Sequence, residues 1–498
     1  MLEKRVHANT LNYYSVPDGA EIYSAAPLDL MNGARLDVLA RYVYARAKLS
    51  GIGVAWAQFC YGSMLNGQTN GFARAGEYDP GKSGLSDYIE QFDRLIESMR
   101  ARGFAIDELV IPTCDGTIVD GAHRVASAVA LGLESIQCVE LAGARMVQNY
   151  QSLTRNGVPE SVIESQVLEL IRLKPKSRIA LLFPCVGTRS SQAAVTKFQE
   201  CFDVDYVQNT PVSMNALINL MHLSYGHHDD WWSDHHARSF AKNRYRAAGE
   251  LSVVAFQEQG RDVRGFKDAL RVDLGKDNDG LHTTDTHEET LLLAETLFNA
   301  NGRHWLSFAD LSGAKTPRFD RFLQRFGNVT TQAGAADRVA VDSGGVLAAY
   351  GLRDVSDLDY LEAGGEGSFD EGGDINWHNA KYDVVDGLDA EAIVSDPRNH
   401  FYFHGVKFAA FHVVQSLKEA RNTEKDLKDF LAMKRAEKST IGDDLWVYLR
   451  TTRLVIQRRI RQGFISLFHI TTRLMKRRLP DAIYLHIRRL YRALFKKS

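Results

Sequence analysis

Arg338 to Leu361, RVAVDSGGVLAAYGLRDVSDLDYL, is the stretch on which the fold of this chain turns. A short apolar run leads into Ser343, Gly344 and Gly345, a helical stretch follows, and a second apolar run carries Asp357 and Asp359. The order is strand, glycine turn, helix, strand. Residues two apart on a strand point to the same face, so both carboxylates converge on one spot. Two hard oxygen donors close together suit a magnesium ion that also holds a nucleotide's phosphates, and without a cation they repel. Glycine lets the backbone approach phosphate oxygens, and the following helix points unpaired N–H groups and its positive dipole end at them. Together these parts predict a nucleoside triphosphate site.

The arrangement resembles the DNA polymerase beta-like nucleotidyltransferase superfamily, whose signature is a Gly-Gly or Gly-Ser turn followed by a D-x-D strand. Eleven residues, Val346 to Ser356, separate Gly345 from Asp357, within that family's range. The resemblance implies magnesium held by Asp357 and Asp359 and phosphates cradled by Ser343, Gly344 and Gly345. Downstream, KFAAFHVVQSLKEARNTEKDLKDF looks like the basic helix that follows the palm in several bacterial members. On that likeness Lys407, Lys418, Arg421 and Lys425 face phosphates, while Asp426 and Asp429 orient basic side chains. The superfamily also uses a third carboxylate on a neighbouring strand to activate the attacking hydroxyl, for which Asp374 and Asp383 are the candidates. D-x-D pairs also arise in acidic loops. If neither candidate stands beside the pair, the domain binds nucleotide without transferring it.

A second motif lies in GTIVDGAHRVASAVALG, residues 116 to 132, which sets Asp120 and Gly121 at a turn and His123 and Arg124 at the start of a helix. A guanidinium at a helix N-terminus can bind phosphate bidentately. The element resembles the fold shared by ParB N-terminal domains and sulfiredoxin, completed by Leu131-Gly132 and the strand IQCVEL. Members of that fold bind CTP or ATP, and one branch phosphorylates free serine. Sulfiredoxin chemistry would need a cysteine at the turn, where this chain has Ala122 and His123. A kinase of this fold would want a carboxylate base, for which Glu77 is the candidate. The plainer reading is a turn whose His and Arg tie down a helix.

With 498 residues the chain is long enough for more than one core. Its pattern predicts a multi-domain α/β (α+β) protein. A ParB/sulfiredoxin-like unit spans 1–148, a central α/β unit 149–332, a nucleotidyltransferase-like palm 333–440, and basic amphipathic helices 441–498. The buried-strand runs RIALLFPCV and LSVVAFQE belong to the central unit, and HFYFHGVKFAAF reads as strand in the palm. Five scattered cysteines without a CxxC spacing argue against disulfides or structural zinc, and no long uncharged apolar segment is present, so a cytoplasmic location is expected.

His222, His227, His228, His235 and His236, with Asp229, Asp230 and Asp234, follow no recognisable zinc spacing and read as a surface loop. In LHTTDTHEET, Thr286 and Glu289 form a capping box, and His282, Asp285 and His287 lie where donors could meet an anion. The tail suits an anionic membrane surface, with docking on the protein body or nucleic acid as alternatives. The expected function is transfer of a nucleotidyl or phosphoryl group from a nucleoside triphosphate, ATP or CTP, with Mg2+, to a small hydroxylated or phosphorylated acceptor in surface glycan or lipid assembly. The rival is a nucleotide-gated DNA-binding or adaptor protein with an inert palm. The absence of a helix-turn-helix signature makes DNA an unexpected partner.

Overall fold

The computed structural model describes residues 2–69, 71, 83–104, 109–226, 232–311, 316–371 and 373–437. The chain separates into two units, Met1–Arg421 and Asn422–Ser498. The first is a mixed α/β body with three sheets.

The first sheet contains β1 (Ile22–Ala25), β2 (Ile111–Cys114), β3 (Thr117–Ile118) and β4 (Ile136–Glu140) in the order β1-β4-β2-β3. β2 and β4 run parallel, joined through the helix Ala122–Ala130. That helix packs on Leu36–Ser50, which is buried without interruption from Leu36 to Ala45 and stops at Gly51 with a φ of 73°. A left-handed residue of this kind ends a helix at little cost when it is glycine.

The second sheet has β5 (Ser177–Leu182), β6 (Asp203–Pro211), β7 (Glu250–Gln257) and β8 (Leu281–Thr283) in the order β6-β7-β5-β8, antiparallel throughout. The two apolar runs read from the sequence become its inner strands β5 and β7. Ala180, Leu182, Val254 and Phe256 from these strands meet Phe198 from the helix Thr188–Cys201 and Phe202 just after it in one core.

The third sheet has β9 (Val339–Asp342), β10 (Leu358–Glu362), β11 (Ile375–Trp377), β12 (His400–Phe403) and β13 (Val406–Ala409), in the order β11-β10-β9-β13-β12. β9 lies at its centre, antiparallel to β10 and parallel to β13. HFYFHGVKFAAF is therefore a hairpin rather than one strand. His404 and Gly405 take φ of 49° and 74°, the double positive φ of a two-residue turn that matches strand twist.

Two sets of bonds tie the sheets together. Gly33 donates its N–H to Asp205 Oδ1 at 3.1 Å, and a Cβ at Gly33 would overlap that carboxylate. Asn299 and Asn301, at the start of the helix Ala300–Phe308, donate their side-chain amides to the carbonyls of Pro397 and His400 at 3.1–3.2 Å. Asn301 also reaches Arg398 O at 3.0 Å.

In the second unit, Thr423 caps the helix Glu424–Ala436 by accepting the N–H of Asp426 at 3.1 Å. The basic tail lies outside the described residues. Among the described residues no helix is long and apolar enough to cross a membrane.

Candidate functional site

β9 ends in Asp342, and the antiparallel register sets Asp342 opposite Asp359 of β10. Opposed residues of paired strands share a face. His378 follows β11, and its backbone N–H donates to Tyr360 O at 2.8 Å. Its ring spans the two acids, with Nδ1 3.2 Å from Asp342 Oδ2 and Nε2 3.5 Å from Asp359 Oδ1. The Tyr382 hydroxyl donates to Asp342 Oδ1 at 2.6 Å, and Ser343 Oγ donates to Oδ2 at 3.0 Å. Burial alone would raise the pKa of Asp342, but bonds from His378, Tyr382 and Ser343 hold it below the usual carboxylate value.

Asp359 is in the opposite state. Burial pushes its pKa up to about 6, the charges of Asp342 and Asp357 add to this, and His378 and Lys418 oppose it. Asp357 stands one residue ahead of β10, accepting from Ser356 Oγ at 2.6 Å and from Asn376 Nδ2 at 3.2 Å. Asn376 lies on β11 directly beside Asp359, on the neighbouring strand where a third carboxylate was expected.

Neither carboxylate candidate enters this cluster. The Asp374 side chain is 59% exposed and faces Arg325 at 3.6 Å, while Asp383 is exposed on the turn Asn379–Val384. The carboxylate that sequence reading missed is Asp342. Its signal was its position, the last residue of an apolar strand immediately ahead of the glycine turn.

The turn itself is tight. Ser343 has a φ of 47° and ψ of −110°, a region that non-glycine residues rarely occupy. The space left by Gly345 is taken by neighbours, since a Cβ there would lie 2.3 Å from Val341 Cγ1 and 3.3 Å from Leu358 Cδ1. At Gly344 the corresponding neighbour is Arg353 Nη2, at 3.2 Å. Arg353 therefore adds a cation over the turn that sequence reading did not select.

The expected basic residues divide. Lys418, buried on the helix Phe411–Arg421, acts electrostatically on Asp359, and Arg421 acts on Tyr382. Lys407 corrects the expectation of a phosphate contact. Its ammonium is buried and donates to the carbonyls of Asp337 and Val394 at 2.9 and 2.8 Å, beside a cavity lined also by Arg46, Glu169 and Arg172, and burial lowers its pKa to about 8. Lys425 belongs to the second unit.

No family model, curated protein or solved structure matches the chain.

Among the described residues no three His, Cys, Asp or Glu side chains are grouped as a metal site. The β9–β10 cluster instead offers an ion two carboxylates, Asp357 and Asp359. That donor set suits magnesium, which completes its shell with water and phosphate oxygens. The raised pKa of Asp359 comes first from burial and then from its negative neighbours, and a cation would offset both.

The Asp120–Arg124 element is internally satisfied. Arg124 donates to the carbonyls of Leu109 and Val110. His123 Nε2 lies 2.7 Å from the Tyr61 hydroxyl and accepts from Arg41 Nε at 3.3 Å, with its ring against Phe92. Asp120 accepts from Thr10 Oγ1 at 3.2 Å and from the N–H of Gly121 at 2.6 Å. These bonds secure a helix start, and they turn His123 and Arg124 inward rather than toward a ligand. Asp37, between Arg35 and Arg41 at 2.8 and 2.9 Å, adds a buried ionic knot beneath the same helix.

Glu77 lies outside the described residues, as do His227, His228, Asp229 and Asp230. His222 faces Asp234 at 3.4 Å and accepts from Trp232 Nε1 at 3.3 Å, an aromatic and acidic setting without a metal-like grouping among the described residues.

Proposed function

We propose that the β9–β10 site binds a nucleoside triphosphate with magnesium and transfers a nucleotidyl or phosphoryl group to the hydroxyl of a small acceptor. The observation that carries this reading is the Asp342–His378–Asp359 chain with Asp357 beside it, three carboxylates and an imidazole gathered at the centre of one sheet. Magnesium, when bound, neutralises phosphate charge and orients the triphosphate. Asp357 and Asp359 are its ligands. Lys418 and Arg421 offset negative charge that develops in the transition state, so catalysis comes chiefly from positioning and electrostatics.

His378 takes the role expected of a third carboxylate. A carboxylate at Nδ1 orients an imidazole and stabilises its protonated form. Asp342 occupies that position here, so once Asp359 turns from Nε2 to the cation, Nε2 of the neutral ring is the atom that accepts the proton of the acceptor hydroxyl. The acceptor class that fits such chemistry is a hydroxylated or phosphorylated precursor of a surface glycan or lipid, handled in the cytoplasm or at the inner membrane face.

One observation favours a second reading. Asn376 stands where a carboxylate would be expected, and an amide cannot take a proton, so the site would hold nucleotide and magnesium without turnover. Incubation with each of the four nucleoside triphosphates, magnesium and a metabolite extract separates the two. Release of pyrophosphate or nucleoside diphosphate that is lost in Asp357→Asn/Asp359→Asn and reduced at least a hundredfold in His378→Ala supports transfer. Magnesium-dependent nucleotide binding without release supports the second reading. Release unchanged in both variants sinks both.

A further inference from the structure

The LHTTDTHEET segment leads to a second cavity, in the body of the β5–β8 sheet and apart from the β9–β10 cluster. A space of about 500 Å3 opens between β8 and five helices, with Ser224, Tyr225, Lys267, Arg271, His282 and Glu289 on its wall. Three of these form a hydrogen-bonded chain. His282 Nε2 is 2.8 Å from Glu289 Oε1, and His282 Nδ1 is 3.2 Å from the Tyr225 hydroxyl. With an ionised Glu289, which only accepts, a neutral His282 ring carries its hydrogen on Nε2, accepts at Nδ1, and has Tyr225 as donor. The phenol oxygen also accepts from Arg244 and keeps a further lone pair for a ligand.

The cations on the wall are paired unevenly. Arg244 has Asp279 at 2.8 Å. Lys267 is 12% exposed, yet its carboxylate, Asp285, lies 3.7 Å away and is 81% exposed. Arg271 is 20% exposed and its partner Asp268, also at 3.7 Å, is 62% exposed. Two largely buried cations thus have backbone carbonyls of Thr283 and Leu281 but, in these pairs, only carboxylates that remain in water, an arrangement that leaves part of their desolvation uncompensated. Buried polar atoms on the same wall point the same way: Ser224 Oγ and Arg244 Nε have no hydrogen-bond partner. Unsatisfied buried groups are rare enough to call for a ligand or water.

We propose that this cavity is a binding site for a phosphate-bearing small molecule, whose phosphate displaces Asp285 from Lys267 and bridges to Arg271 while a neighbouring hydroxyl bonds Tyr225. Ser224 supplies a further donor at the cavity floor.

The test is calorimetric titration of the full chain with inorganic phosphate in magnesium-free buffer, which keeps the β9–β10 site out of the readout. One saturable site is expected, weakened at least tenfold in Lys267→Met and in Arg271→Gln and unchanged in Asp357→Asn/Asp359→Asn. Lys267 and Arg271 also donate to the carbonyls of Thr283 and Leu281, so a variant could fail to fold. Acetylation of wild-type Lys267, followed by mass spectrometry with and without phosphate, provides the second measurement, and protection is expected. No saturation in the wild type, full binding in both variants, or no protection of Lys267 overturns the proposal.

Discussion

Asp205→Asn should make the protein more stable at pH 8 and leave it nearly unchanged at pH 4. Asp205 is wholly buried on β6, where burial raises its pKa from 3.8 to about 7, with Asp203 adding to the rise and Gln257, the N–H of Gly33 and Lys174 opposing it. The folded state therefore holds the proton more tightly than the unfolded chain. The stabilisation from that proton is complete below pH 3.8 and is lost as pH rises through about 7. At about 1.4 kcal/mol per pH unit, the ionisable wild type forfeits about 4 kcal/mol by pH 8. Asparagine retains the oxygen that accepts from Gly33. Its new N–H2 faces Gln257, which can turn its own amide and exchange roles with the Ser177 hydroxyl beside it.

With an unfolding entropy of roughly 2.1 cal/mol/K per residue over Met1–Arg421, 4 kcal/mol corresponds to about 5 °C in Tm. Scanning calorimetry of both proteins from pH 4 to pH 8 should show the variant's advantage growing from near zero to about that value. Every other titrating group, including Glu164 with a burial-raised pKa of about 7, is common to both chains and cancels in the difference. A gap that is flat with pH, or a variant that melts below the wild type at pH 8, refutes the reasoning.

Gly345→Ala places a Cβ 2.3 Å from Val341 Cγ1 and should cost about 1–3 kcal/mol in a urea melt; a variant as stable as the wild type would show that β9 yields easily. Arg124→Ala removes the donor to the Leu109 and Val110 carbonyls and should lower the Tm while ATP and CTP affinity stay constant; weaker nucleotide binding at an unchanged Tm would return Arg124 to a ligand role. Tyr382→Phe leaves Asp342 one donor short and should cost about 1–3 kcal/mol, read from the urea midpoint. A cost near zero would show that water replaces the phenol.

The β9–β10 region was legible in the sequence as far as its local order went. Strand, turn, helix and strand between Val339 and Glu362 are fixed by alternation and by glycine, both of which act over a few residues. Asp342 and His378 were not legible as partners, because thirty-five residues separate them and only the β9–β10–β11 pairing brings them to one face. Lys407 shows the converse error. The likeness of its segment to the basic helix of the nucleotidyltransferase superfamily suggested a phosphate contact, but strand β13 is interior and the ammonium ends among backbone carbonyls. In the Asp120–Arg124 element the helix start was readable and the direction of its side chains was not. The acceptors for Arg124 lie at the start of β2, on another part of the chain.

The two asparagines at the head of the helix Ala300–Phe308 bear on how the protein can be cut or recombined. Their amides hold three consecutive-region carbonyls, of Pro397, Arg398 and His400, across a gap of almost a hundred residues. A gene fragment ending near residue 332 would leave those amides searching for water, and a β9–β13 sheet grafted onto a foreign body would arrive with its own carbonyls stripped of donors. Swapping modules would therefore require Asn299 and Asn301 to travel with the β9–β13 sheet, and limited proteolysis of the native protein should spare this junction until the whole of Met1–Arg421 opens.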